Sequence, residues 1–132
     1  MLGLSAAVRV YVATAPADMR RSFDGLSALV SGLDLDPLSG HLFVFINKRR
    51  DRIKILYWDR DGLVVWAKRL ESGTFRIPLA TADRVEMTAA DLAALLAGID
   101  LDSARRRPRY ARPATPPRNP QKIAPTSQHP YT

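Results

Sequence analysis

The chain has 132 residues, with 20 lysines and arginines against 13 acidic residues, and it contains no cysteine. This length fits one domain of ordinary size, alone or with a tail, and leaves no room for a two-domain enzyme. The lack of cysteine excludes disulfides, thiolate metal sites and cysteine nucleophiles. No apolar run approaches the roughly 18 residues of a membrane span, and residues 1–12 lack the pattern of a secretory signal, so we expect a soluble cytoplasmic protein.

The charge is distributed unevenly along the chain. Residues 1–102 carry 13 basic and 13 acidic side chains, whereas residues 103–132 carry seven basic side chains, no acidic one and seven of the ten prolines. Such a segment buries too little apolar surface to offset its ordering entropy. We therefore predict a folded domain over 1–102 and a disordered basic tail over 103–132, either a solubilising extension or an arm that contacts nucleic acid through Arg105, Arg106 and Arg107.

The first part of the domain is predicted to contain a strand and a helix. Residues 8–12 alternate and are rich in β-branched side chains, which predicts a strand. We expect a helix from Asp18, whose carboxylate would cap its first turn, to Gly32. The apolar stripe of this helix is formed by Met19, Phe23, Leu26, Val30 and Leu33. Gly25 interrupts the stripe at a cost of about 1 kcal/mol against alanine, which predicts a close approach of another group.

A hairpin is predicted in the middle of the chain. Residues 42–46 are apolar on both faces and predict a central strand, and residues 52–58 and 63–69 predict two further strands joined at an Asp-Gly pair. A three-residue loop at 60–62, with Gly62 in a left-handed bulge, separates apolar from basic side chains better than a two-residue loop at Asp61-Gly62, which would scatter the cations over both faces. The three-residue loop would place the cations and both tryptophans on the same face. The residues of that face would be Arg52, Lys54, Leu56, Trp58, Val64, Trp66 and Lys68.

The predicted elements end with a short strand and a second helix. Residues 84–87 are extended in character, and Thr88 with Asp91 resembles a capping box in front of a leucine stripe that ends at Gly98. Strands that cluster between two helices favour an α+β domain with an antiparallel β-meander flanked by two helices.

No catalytic site follows from the residue types. Two-metal chemistry needs convergent carboxylates, but most of the acidic residues have simpler interpretations as caps, turn formers or solvated charges. Asp24 is the least easily explained in this way, because beside Gly25 it could bond a neighbouring loop or Arg20. His41 is expected to be structural, and no phosphate-binding glycine loop occurs. We therefore expect no enzymatic activity, no metal, no cofactor and no small-molecule substrate.

The densest cluster of charged side chains is basic and lies at the start of the hairpin. Five cations fall within seven positions, namely Lys48, Arg49, Arg50, Arg52 and Lys54. With Lys68 and an exposed Trp58 they could neutralise phosphates and stack on bases. The alternative is that the cations protect sheet edges and the tryptophans face a core.

Several motifs carry a resemblance to a known family. In chain order they are Asp18-Met19-Arg20, Phe23-Asp24-Gly25-Leu26, residues 39–45, residues 47–56, Trp58-Asp59, Gly62, residues 68–71, Gly73 and residues 95–100. Over residues 8–100 the chain resembles the TnpB (Orf2) accessory proteins of the insertion-sequence family numbered sixty-six. Its Pro/Arg-rich end departs from that pattern.

The resemblance implies a product of a bacterial mobile element, encoded beside a much larger transposase and assisting transposition. It implies that the catalytic carboxylates belong to the large partner. The partners expected are therefore the transposase and the DNA of the element, with no membrane. The family supplies no established functional residues, so Asp18, Arg20, Asp24 and Gly25 are singled out here as motif residues of structural importance.

Overall fold

A computed structural model describes residues 7–78 and 80–98. The elements in chain order are β1 (Arg9–Ala13), α1 (Phe23–Gly32), β2 (Leu42–Ile46), β3 (Arg52–Asp59), β4 (Gly62–Arg69), β5 (Arg84–Thr88) and α2 (Ala89–Ala97). Within this part of the chain, no helix is long and apolar enough to cross a membrane. The predicted tail and its boundary at residue 102 lie outside the described residues.

The strands form one sheet in the order β4-β3-β2-β1-β5. Strands β2, β3 and β4 form the expected antiparallel meander, and the two helices confirm the α+β class. The meander does not extend through the whole sheet: β1 pairs with β2 in parallel, because α1 returns the chain to the end of the sheet where β1 began. Strand β5 then pairs with β1 in antiparallel orientation at the far edge.

Each face of the sheet packs against one helix. Leu92, Leu95 and Leu96 of α2 belong to one buried cluster with the inward-facing valines of β1, and Leu26 and Val30 of α1 belong to another with Phe43 and Phe45. All five residues of β2 are buried, as predicted for a central strand. We call the side covered by α1 the α1 face and the other side the α2 face.

The hairpin exists as predicted, but its register is different. Asp59 pairs with Gly62 and Ile55 pairs with Trp66, so the loop contains only two residues. Arg60, not Gly62, adopts the left-handed conformation, with φ of 54°. A shift of one residue exchanges the faces of β4, so Trp66 lies on the α2 face and Trp58 lies on the α1 face. The predicted single face bearing both tryptophans is therefore wrong. Both faces are covered by helices, so sorting by hydrophobicity could not fix the register.

Helix α1 begins later than predicted. It starts at Phe23 with Ser22 at the N-cap, and no side chain caps it. Asp18 instead forms a local turn in which the Arg20 backbone N–H donates to Asp18 Oδ1 at 2.9 Å. The prediction of Asp18 as a helix cap is wrong because this turn already uses its carboxylate.

The second helix agrees with its sequence signals. The Thr88 hydroxyl accepts from the Asp91 backbone N–H at 3.1 Å, and the Asp91 carboxylate accepts from the Thr88 backbone N–H at 3.2 Å. Gly98 ends the helix in a left-handed conformation with φ of 88°. The capping box and the stop signal were both predicted, because each depends only on neighbouring residues.

Candidate nucleic-acid interface

The turn between β2 and β3 is held by the side chain of Asn47. Asn47 Oδ1 accepts from the backbone N–H groups of Asp51 and Arg52, both at 3.0 Å. Asn47 Nδ2 donates to Asp51 Oδ1 at 2.7 Å, and this hydrogen bond is the main reason why the pKa of Asp51 is lowered. We call residues 47–51 the basic turn. Because its single acid is bonded internally, the turn presents Lys48 and Arg49 to solvent as exposed cations.

Arg50 has a different environment from Lys48 and Arg49. It is half-buried and adopts φ of 61°, and its carbonyl accepts from the Phe75 backbone N–H at 2.7 Å. The Asp51 carbonyl similarly accepts from Leu70 at 2.7 Å. The back of the basic turn is therefore attached to the segment that follows β4.

A groove opens beside the basic turn, where β3 begins and β4 ends. It has a volume of about 250 Å³. Its lining residues are Met19, Arg52, Ile53, Lys54, Ala67, Lys68 and Arg69. We call it the cationic groove, because four of its seven residues are basic and none is acidic. Its charge suits an anionic chain such as a phosphodiester backbone.

Two of the arginines that line the cationic groove lie side by side on adjacent strands. Arg52 of β3 pairs directly with Arg69 of β4, an arrangement in which like charges destabilise a sheet. Arg69 is partly compensated by Glu71, whose carboxylate lies 2.9 Å from the guanidinium. An anion bound between Arg52 and Arg69 would relieve the remaining repulsion.

Lys54 connects the groove to the segment before α1. It lies on the same face of β3 as Arg52, and its ammonium donates to the Arg21 carbonyl at 2.7 Å. The stem of Arg21 in turn occupies the space that Gly25 leaves free: a Cβ placed on Gly25 would lie 3.2 Å from Arg21 Cβ and Cγ. The close approach predicted at Gly25 is thus made by a side chain.

The structure brings some predicted site residues together and separates others. Lys48, Arg49, Arg52 and Lys54 lie at or beside one end of β3, whereas Trp58 lies six residues beyond Arg52, roughly 20 Å along the strand. Lys68 contributes to the groove but belongs to the α2-face row of β4. Sequence reasoning missed Arg69, because only the observed register places it opposite Arg52. Arg105, Arg106 and Arg107 lie outside the described residues.

The other motif residues make local contacts, and one of them reaches the cationic groove. Arg20 pairs with Asp18, with Nη2 and Oδ2 2.7 Å apart, and not with Asp24, which is exposed in the first turn of α1. Met19, between the paired residues, lines the groove. His41 accepts from the Arg9 backbone N–H at 3.0 Å, a structural contact. Among residues 7–78 and 80–98, no three histidine or acidic side chains are grouped to hold a metal ion.

The Asp18–Arg20 pair has a testable pH dependence. Hydrogen bonds from Arg20 lower the pKa of Asp18 to about 2. A depressed carboxyl pKa means that any contribution to stability is complete above the ordinary pKa of 3.8 and is lost as the pH falls toward 2. We expect the Asp18 carboxyl to titrate near pH 2 by NMR, and Arg20→Gln to raise its pKa toward the ordinary value. Titration at the ordinary value in the parent protein would contradict the pair.

Comparison with known proteins identifies relatives of similar length. The chain is 42% identical over 109 residues to the uncharacterised protein y4jC of Sinorhizobium fredii, an alignment that covers 82% of this chain and 93% of the relative. It is 39% identical over 94 residues to the uncharacterised protein y4hO of the same organism, covering 70% of this chain and 82% of the relative. No solved structure matches significantly. A family model described as IS66 Orf2 like protein matches residues 8–106. The chain therefore belongs to the IS66 Orf2-like family, which connects it with transposition of an insertion sequence.

Proposed function

We propose that this protein is a non-catalytic accessory factor that acts in the cytoplasm and assists the transposase of its insertion sequence by binding DNA. Family membership supports the transposition role. The observation that carries the DNA-binding step is the repulsive pairing of Arg52 with Arg69 beside the basic turn. Such a pair costs stability in the free protein, and a bound phosphate between the two guanidinium groups offsets that cost.

The arrangement around this pair suits a phosphate backbone more than a compact anion. The exposed cations Lys48 and Arg49 lie in the basic turn next to the groove, so positive charge extends beyond the groove itself. Met19 and Ala67 supply apolar surface in the groove, which can contact sugars. Contacts of this kind position a protein on DNA and carry little base specificity. The protein would therefore hold DNA for the transposase without selecting a sequence by itself.

A second function of the same surface is docking on the transposase. Residues 1–102 have no net charge, and a local cationic groove can also bind an acidic segment of a partner protein. In this alternative the full chain has little affinity for DNA alone.

The test is a DNA-binding titration of the full chain with and without the large transposase, on a duplex that carries an end of the element. We expect measurable binding by the accessory protein alone, with affinity that falls as salt rises. With magnesium or manganese it should neither cleave nor join the duplex. Binding that requires the transposase would support the docking alternative. Metal-dependent nicking by the purified protein that disappears on Asp24→Asn would overturn the non-catalytic assignment.

A further inference from the structure

The two edges of the sheet differ in how well they are protected against pairing with another strand. Strand β5 is five residues long and carries Arg84 and Glu86, a short and charged edge. Strand β4 is eight residues long, contains no proline, and has no charged residue between Gly62 and Ala67. Native proteins normally shorten, charge or cover such an edge. Among the described strands β4 pairs only with β3, so it is a candidate pairing surface.

The hydrogen-bond pattern shows which residues of β4 face outward. The Leu70 N–H donates to the Asp51 carbonyl, which continues the β3–β4 ladder by one pair. Antiparallel pairs alternate between bonded and non-bonded, so the even-numbered residues of β4 bond to β3. The backbone N–H and C=O groups that point away from β3 therefore belong to Leu63, Val65, Ala67 and Arg69.

We propose that β4 pairs in antiparallel orientation with β4 of a second copy of this chain, with Val65 opposite Val65. A two-fold axis perpendicular to the sheet relates strands joined in this way, and residues that pair then have numbers with a constant sum. Centring the axis on Val65 pairs Leu63 with Ala67 of the second copy and Val65 with Val65. Three of the four outward-facing residues then have a strand partner, and Arg69 lies beside the loop of the second copy. It also places Val64 opposite Trp66 of the second copy, an aromatic and β-branched pair of the kind that stabilises sheets.

Charge complementarity favours this occupant and this register. The loop residue just before β4 is Asp61, and the other end of β4 carries Arg69. Centred on Val65, the pairing brings the loop residue Asp61 of each copy next to Arg69 of the other, so two favourable ion pairs form at once. Centring on Trp66 would set Asp61 opposite Glu71, which repels.

The pairing would form a ten-stranded sheet with both cationic grooves on the same face. The reason is that rotation about an axis perpendicular to the sheet leaves each face on its own side. Strand geometry separates the two Arg52 residues by roughly 30 Å. That distance is close to one turn of B-DNA, about 34 Å. This consequence depends on the proposed DNA binding, whereas the dimer itself does not and is tested without DNA.

The first test is the mass of the full chain in solution by sedimentation. We expect twice the 14.7 kDa of one chain. Because one strand pair is a small interface and binds weakly, the dimer should form only at micromolar concentrations or above. Because the protein contains no cysteine, an engineered thiol also reports the register. Bonded antiparallel partners have Cα atoms about 5.5 Å apart, within disulfide range, so oxidised Val65→Cys should form a covalent dimer.

Ala67→Cys is the matched control, on the same strand and face but more exposed than Val65. In the proposed register it lies roughly 14 Å from its own equivalent, so it should not cross-link. A chain that stays monomeric with no cross-link at 65 would overturn the proposal, whether residues beyond 98 or another protein cover the edge. Equal cross-linking at 65 and 67 would overturn the register.

A charge exchange tests the same contact without a thiol. Asp61→Arg and Arg69→Asp should each weaken the dimer about five-fold, and the two changes together should restore it. If the double variant is no better than the single ones, Asp61 and Arg69 are not opposed, and the proposed pairing is wrong.

Discussion

Replacing Lys48, Arg49 and Arg52 together with glutamine should lower the affinity of the full chain for duplex DNA on the order of 100-fold at ~0.1 M salt. Each lost phosphate contact removes roughly 0.9 from the logarithmic salt slope, so the slope should fall by about 2.7. These side chains are exposed, and none takes part in the hydrogen bonds that hold the basic turn. The loss of affinity should therefore come without a fall in thermal stability, and removal of the Arg52 charge should raise the stability slightly because it relieves the repulsion from Arg69. Filter binding or fluorescence anisotropy at several salt concentrations measures both quantities.

The matched control replaces three exposed cations elsewhere, Arg9, Arg60 and Arg76, with glutamine. It removes the same net charge, so a general effect of charge would weaken binding equally, whereas a local site would leave the control close to the parent. If the variant with glutamine at positions 48, 49 and 52 binds DNA like the parent but no longer binds the transposase, the surface is a protein-docking site. The alternative function then replaces the proposed one.

Replacing Phe75 with alanine should lower the free energy of unfolding by about 3–5 kcal/mol. Phe75 is fully buried in the cluster on the α2 face, although it lies in a segment without regular secondary structure. Its backbone N–H also bonds to the Arg50 carbonyl. The cavity would thus loosen the attachment of this segment to the basic turn as well as the core. Urea denaturation followed by tryptophan fluorescence measures the change.

Phe23→Ala is the control for this prediction. Phe23 begins α1 and remains 47% exposed, so its truncation removes little buried surface and should cost less than about 1 kcal/mol. Comparable losses for the two phenylalanines would show that Phe75 does not anchor the segment after β4.

The sequence by itself determined the features that depend on neighbouring residues. The apolar run of β2 requires burial on both faces, the pair Thr88 and Asp91 forms its capping box within one turn, and Gly98 ends α2 because it accepts a left-handed conformation. The basic cluster around the β2–β3 turn was also evident from residue order. These signals act over a few residues, so no distant contact could reverse them.

Only the tertiary structure decided the hairpin register and the composition of the candidate site. Both faces of β3 and β4 bury apolar side chains, so two registers satisfy the hydrophobic pattern almost equally, and the observed one has a two-residue loop with Arg60 in the left-handed conformation. That selection pairs Arg52 with Arg69 and separates Trp58 from Trp66. The groove also needs Met19, which reaches it because Asp18 bonds Arg20 in a turn instead of capping α1. Contacts between residues distant in sequence settle such choices, since their free-energy differences are small compared with the burial that all the alternatives share.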